Sequence, residues 1–208
     1  MAVLEAQRQG RTVSSPGTED SRGIEEPKPY TSEEFAAVVA AHPDLRMELT
    51  REGELIIMPP AFPETGSKNA DLTADVVLWN RLQRTGKVFD SSSGFTLPNG
   101  AERSPDTAWI ELGRWEALAE EERKGFSRIC PDFVVELRSS SDPLSAVQKK
   151  MQEYRENGAR LGWLIDPKSK RVEIYRPGQE VEILDAPASL SGEDVLPGFV
   201  LDLTGILN

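Results

Sequence analysis

The stretch Cys130-Pro-Asp-Phe-Val-Val-Glu-Leu-Arg138 reads as a strand with a charge built into it. Alternation sends Phe133, Val135 and Leu137 to one face and Asp132, Val134, Glu136 and Arg138 to the other. A carboxylate on a strand otherwise built of apolar residues is costly unless it is paired, hydrogen-bonded or bound to a cation. Glu136 therefore needs a partner. Asp132 cannot share a cation with it, because four residues of extended chain hold them ~13 Å apart at ~3.3 Å per residue.

Asp106 is the candidate for that sharing. Thr107-Ala-Trp-Ile110 reads as another strand, and Pro105 is tolerated at a strand's start. Two neighbouring strands would then present Asp106 and Glu136 to one hard cation. Magnesium takes oxygen ligands, draws one or two carboxylates from the protein and completes its shell with water and phosphate. Such a site suits phosphodiester hydrolysis.

Leu144, Val147, Met151 and Tyr154 recur at helical spacing and form one apolar stripe. At ~100° per residue Lys150 falls at the border of the stripe, while Lys149 faces the opposite side. Lys150 can lean over the sheet, where its ammonium would orient a nucleophilic water or neutralise charge on a phosphate. Asp142-Pro143 fits the start of this helix as cap and first residue, and Gly158 fits its end.

In this order, Gly53-Glu-Leu-Ile-Ile-Met-Pro-Pro60, Glu64-Thr-Gly66, Phe95-Thr-Leu-Pro-Asn-Gly100, Ser104-Pro-Asp-Thr-Ala-Trp-Ile110, Pro131-Asp-Phe-Val-Val-Glu136 and Gly162-Trp-Leu-Ile-Asp-Pro167 resemble the Uma2-type family of restriction endonucleases, built on the PD-(D/E)XK nuclease fold. The resemblance runs from Tyr30 to the C-terminus. It implies an α/β (α+β) restriction-endonuclease-like core with a mixed central sheet flanked by helices. It also implies a Mg²⁺- or Mn²⁺-dependent endonuclease acting on nucleic acid, DNA in particular, and a homodimer. The implied site uses Asp106 and Glu136 as metal ligands, the Leu137 backbone carbonyl as an extra ligand, and Lys150 moved onto the helix that follows.

Two positions depart from the family pattern. Where the parent motif has lysine two residues after the acid, this chain has Arg138, which stays protonated and cannot act as a base. Arg138 could hold phosphate instead. Ser140 stands where the family carries proline, altering the turn before the helix. The remaining acid of such sites comes from an early helix, and two roles are open to Glu64: that acid, or a residue stabilising a helix start. Asn69, Leu72, Val76 and Trp79 share the inward stripe of this helix, expected from about Thr65 toward Arg84, with Asn69 a candidate supporting group. Glu48 is a rival acid on a strand before Gly53.

Composition bounds the rest. At 208 residues and 38% hydrophobic, the chain can bury one α/β core. A single domain over residues 29–208 is expected, preceded by an unstructured tail over residues 1–28, rich in Gly, Ser, Thr, Pro and charge. No segment reaches the ~20 apolar residues of a membrane span, and the start lacks the layout of a secretory signal. A cytoplasmic location follows as an expectation. The single cysteine, Cys130, forms no internal disulfide and reads as buried and structural. One histidine, His42, in a loop ending a helix, leaves no zinc cluster and no histidine triad. The four tryptophans lie within apolar patterns and read as packing residues.

The coarse element reading places a helix at Thr31-Ser-Glu-Glu-Phe35, capped by Thr31 or Ser32, and a hairpin across Arg51-Glu-Gly53. A strand over Val88–Leu97 returns through Pro98-Asn-Gly100 into Ala101–Ile110, and a charged helix covers Arg114–Phe126. Leu161–Ile165 and Arg171–Arg176 form a hairpin, with a further strand near Val181–Leu184.

A net charge of −11 opposes nucleic-acid binding at long range. From Arg138 through Arg176, however, nine Lys and Arg stand against five Asp and Glu, a local surplus of four positive charges. Such a run is either a phosphate-attracting region or an ordinary solvated surface. Likewise, Glu136 and Lys150 could form a structural ion pair in a catalytically silent domain that binds nucleic acid or protein.

Overall fold

The computed structural model describes residues 28–207 and the short strand Val13–Ser14. Apart from that strand and Lys28, the expected tail over residues 1–28 lies outside the described residues. The chain divides into two compact units, one made of the described residues up to Pro60 with Thr96–Arg103, the other of Ala61–Phe95 and the residues from Ser104 onward.

In the first unit, helix α1 (Ser32–Ala41) starts at Thr31, whose hydroxyl accepts the Glu34 N–H while the Glu34 carboxylate accepts the Thr31 N–H. This reciprocal capping satisfies two donors that a helix start leaves bare. Strands β2 (Arg46–Leu49) and β3 (Leu55–Met58) form the expected antiparallel hairpin. Gly53 closes it at φ +82°, where an added Cβ would lie 2.7 Å from the Tyr30 carbonyl oxygen. Strand β1 (Val13–Ser14) pairs in parallel with β3. The rival acid Glu48 is buried in this sheet and paired with Arg103 at 3.2 Å.

The second unit is built on a six-stranded mixed sheet in the order β11-β10-β9-β8-β7-β4, comprising β4 (Gly86–Asp90), β7 (Thr107–Glu111), β8 (Phe133–Leu137), β9 (Leu161–Asp166), β10 (Arg171–Tyr175) and β11 (Glu182–Asp185). Only β8 and β9 run parallel; the other four neighbouring pairs are antiparallel. Helix α2 (Pro63–Gln83) packs on β4 and β7, helix α3 (Leu112–Ala117) packs beside the same two strands, and helix α4 (Leu144–Glu156) crosses β8, β9 and β10. This is the mixed α/β architecture expected from the sequence.

Phe133, Val135 and Leu137 enter one core with Leu72, Val76 and Trp79 of α2, and with Trp163 and Phe199. The opposite face of β8 is buried as well: Val134 is fully enclosed, and across from it Gly162 leaves room for Met151 of α4, whose Cε would lie 2.6 Å from a Cβ there. A small hairpin of β12 (Ser189–Ser191) and β13 (Val200–Asp202) adds Leu190, Leu201 and their neighbours to the core. This contribution is not legible in the pattern of short runs.

Three expected elements are broken. The strand over Val88–Leu97 is two strands, β4 and β5 (Phe95–Thr96), because the Asp90 carboxylate accepts from the Ser92 N–H and hydroxyl at 3.0 and 2.6 Å and closes a turn. The strand over Ala101–Ile110 is β6 (Glu102–Arg103) and β7, interrupted at Pro105, which has no N–H to donate to a ladder. The helix over Arg114–Phe126 is α3 followed by a 3-10 turn at Glu121–Arg123. There the Arg123 guanidinium takes the Glu116 and Leu118 carbonyls, and Gly125 adopts φ +66°.

Cys130 is buried, and desolvation pushes its thiol up to about 12 despite the opposing pull of Arg114. An alkylating reagent at about pH 8 is therefore expected to leave Cys130 unmodified until the chain is unfolded, as mass spectrometry with and without denaturant will show. Gly86 is locked into β4 by Asn80, which donates to its carbonyl and accepts its N–H. A Cβ there would lie 2.3 Å from the Ile110 carbonyl oxygen and from the Trp109 ring. Gly86→Ala should cost about 1–3 kcal/mol of stability through overpacking, read as a lowered urea midpoint.

Candidate active site

β7 and β8 bring the two expected carboxylates together. Thr107 pairs with Val135, the last pair of this antiparallel ladder, and Asp106 just before it reaches the N–H of Leu137, the residue after Glu136. Asp106 is anchored twice: Oδ1 accepts from the Asn69 amide at 3.1 Å and Oδ2 from the Leu137 N–H at 2.8 Å. Asn69 thus supports the site from α2, and the Leu137 backbone stands against the Asp106 carboxylate. Above them, Thr73 of α2 shares a hydrogen bond with Thr107 at 2.6 Å, fixing the helix over the start of β7.

α4 supplies the cation. Lys150 Nζ lies 2.8 Å from Glu136 Oε1 and donates to the Ser104 carbonyl at 3.2 Å. Lys149 is exposed, as its helix phase requires. The helix starts one residue later than expected: Pro143 is the cap, and Asp142 instead turns its carboxylate back to the Ser139 N–H and its carbonyl to the Arg138 guanidinium. Gly158 follows the helix end at φ +113°.

Two further residues belong to the same face and were not singled out by their sequence pattern. Tyr154, read as part of the apolar stripe, is fully buried and donates its hydroxyl to Glu136 Oε1 at 3.2 Å. Glu173 lies in the same row of the sheet, since Glu136 pairs with Leu164 and Leu164 with Glu173. It accepts from Gln148 of α4 and from the Tyr175 hydroxyl, each at 2.6 Å. The spacing of Tyr154 four residues after Lys150 was the available signal, because such residues share a helix face.

Other expected residues lie elsewhere. Glu64 sits in the first turn of α2, exposed and paired with Lys68 at 2.9 Å. Arg138 points its guanidinium at the buried Asp166, 2.8 Å away. Burial alone would raise the Asp166 carboxyl, but the Ser169 hydroxyl and the Arg138 charge hold it below its ordinary value. Asp132 is buried against Arg114 at 2.7 Å and accepts the Glu111 N–H. The local positive surplus is also spent: Arg160 meets Glu111, Arg171 meets Asp185, and Arg176 meets Glu182 and Glu193, all acids outside the segment that carries the surplus.

The donor chemistry fits an oxygen-seeking divalent cation. Among the described residues no three His, Cys, Asp or Glu side chains gather as a metal cluster, so a cation here would draw on two carboxylates, which is within the habit of magnesium. Beside Asp106, the Asn69 Oδ1 is buried with no donor. A water of a hydrated cation would serve such an acceptor. Among the described residues no helix is long and apolar enough to cross a membrane.

A family model described as "Uma2: Putative restriction endonuclease" matches residues 32–204. A solved structure from Anabaena variabilis ATCC 29413, described as "a putative nuclease belonging to DUF820", aligns with a TM-score of 0.73 at 24% identity, covering 86% of this chain and 98% of that chain. It shares the fold. No curated protein matches the chain.

The Asp166–Arg138 pair generates a pH prediction. A carboxyl whose folded pKa is depressed adds stability above its unfolded pKa of 3.8, and that stability is lost as pH falls through the folded value. Arg138→Met should therefore be less stable than wild type near neutrality, with the gap narrowing below about pH 4, as urea denaturation across pH will show.

Proposed function

Because the chain belongs to the Uma2 family, we propose that it is a metal-dependent endonuclease of the PD-(D/E)XK type, hydrolysing phosphodiester bonds in DNA. The observation that supports this reading is Lys150 Nζ 2.8 Å from Glu136 Oε1, beside Asp106, whose Oδ2 accepts the N–H of the next residue, Leu137.

In this reading Asp106 and Glu136 hold Mg²⁺ or Mn²⁺, with the Leu137 carbonyl as an additional ligand. When bound, the ion supplies positive charge to the phosphate and acidifies a water. Asp106 is held in position by the Asn69 amide and the Leu137 N–H, so its carboxylate needs no reorganisation as substrate arrives. Lys150, anchored by the Ser104 carbonyl, turns its ammonium to the attacking water or to the charge growing on the phosphate. Glu64, exposed and next to Lys68, supports the site at most through the start of α2. Arg138 serves Asp166 and the turn before α4 in preference to substrate phosphate. The family resemblance supports a homodimer and a nucleic-acid partner, and a cytoplasmic setting is part of the same proposal.

One observation favours a second reading, a nuclease-fold domain that binds nucleic acid or protein without turnover. The arginines of the segment from Arg138 to Arg176 are largely engaged with acids, which reduces the positive charge that would draw in a polyanion.

Asp106→Ala and Glu136→Ala are each expected to abolish Mg²⁺- or Mn²⁺-dependent cleavage of plasmid DNA while the domain stays folded by circular dichroism. Lys150→Met should lower the rate by about 10²–10³-fold, the usual effect of deleting one group that stabilises transition-state charge. Cleavage retained in both carboxylate variants excludes the assignment. Binding of DNA with no turnover and no response to either metal selects the silent domain.

A further inference from the structure

Helix α4 carries two groups over Glu136, and only one of them is a charge. Lys150 and Tyr154 are four residues apart, hence neighbours on one helix face, and both meet the same carboxylate oxygen: Oε1 lies 2.8 Å from Lys150 Nζ and 3.2 Å from the Tyr154 hydroxyl. Lys150 Nζ also stands 5.9 Å from the centre of the Tyr154 ring, within the range of a cation–π contact. Tyr154 itself is fully buried, and its main-chain carbonyl receives the Cys130 thiol. The ring is held by burial and by its hydroxyl's bond to Glu136, and it stands beside Lys150.

We propose that Tyr154 is a positioning residue of this site. Its hydroxyl sets the rotation of the Glu136 carboxylate, and its ring steadies the Lys150 ammonium. The neutral hydroxyl matters because Lys150 alone could pull the carboxylate into a closed ion pair, leaving its orientation to a flexible chain of four methylenes. A second donor on the same oxygen turns that oxygen toward α4 and gives the group one orientation. The inference rests on the cation reading of the site, and it concerns how the chain prepares a ligand before a cation arrives.

Tyr154→Phe isolates the hydroxyl, since the ring and its contact with Lys150 remain. With the full chain and Mn²⁺ alone, calorimetry should show about tenfold weaker binding by Tyr154→Phe than by wild type, as removal of a group supporting a metal ligand typically does. The same substitution, made in wild type and in Glu136→Ala, is then compared by thermal melting of the metal-free proteins. A hydrogen bond to Glu136 predicts a fall of about 2–4 °C in wild type and none in Glu136→Ala, where the acceptor is gone. A packing role predicts the same change in both backgrounds. Mn²⁺ binding unaltered by Tyr154→Phe, or equal melting shifts in the two backgrounds, overturns the positioning role while the cation reading stands. Absence of Mn²⁺ binding by wild type overturns the cation reading, and the inference falls with it.

Discussion

Two neighbouring strands that run the same way cannot be joined by a tight turn, and β8 and β9 are such a pair. The chain leaving Leu137 must travel back to the other end of the sheet before Leu161 can begin. It does so as α4, laid across the sheet so that Met151 packs at Gly162 and the buried Tyr154 reaches Glu136. Much of the site's chemistry follows from that crossing. The acid sits on the strand before it, and the lysine and tyrosine ride on the crossover that packs over that strand.

Charge on this face is managed locally. Each buried carboxylate has its own arrangement: Glu136 meets a lysine and a tyrosine, Glu173 a glutamine and a tyrosine, Asp166 an arginine and a serine, Asp132 two arginines at different distances. Breaking any of these would leave a charge out of water with too little compensation, a cost larger than most single contacts. Such pairs hold strand ends and helix starts in register. Asp106, just before β7, is managed differently, its two oxygens taken by the Asn69 amide and by the N–H of Leu137, the residue after Glu136.

The same accounting explains why segment charge misled. Nine bases between Arg138 and Arg176 outnumber five acids in the chain order, yet Arg160, Arg171 and Arg176 each find an acid outside those limits. Electrostatic potential depends on distance in space, and a fold brings distant carboxylates within a few ångströms of arginines that stand alone in sequence. Strand lengths misled for a related reason. Within Val88–Leu97 the Asp90 side chain closes a turn, and within Ala101–Ile110 the missing N–H of Pro105 decided where pairing stopped.

Periodicity alone was enough to determine that Phe133, Val135 and Leu137 face a core and that Lys150 leans toward the sheet while Lys149 does not, and capping chemistry narrowed the start of α1 to Thr31 or Ser32. Those are local properties, set by backbone repeat and by groups within a turn of one another. The ordered motifs carried the family. Only the tertiary structure decided that Arg138 is bound to Asp166, that Glu64 stays at the surface with Lys68, and that Tyr154 touches Glu136. Each of those outcomes depends on which element packs over which. A helical stripe reports that a tyrosine is buried, whereas the acceptor its hydroxyl meets is set by a strand eighteen residues away.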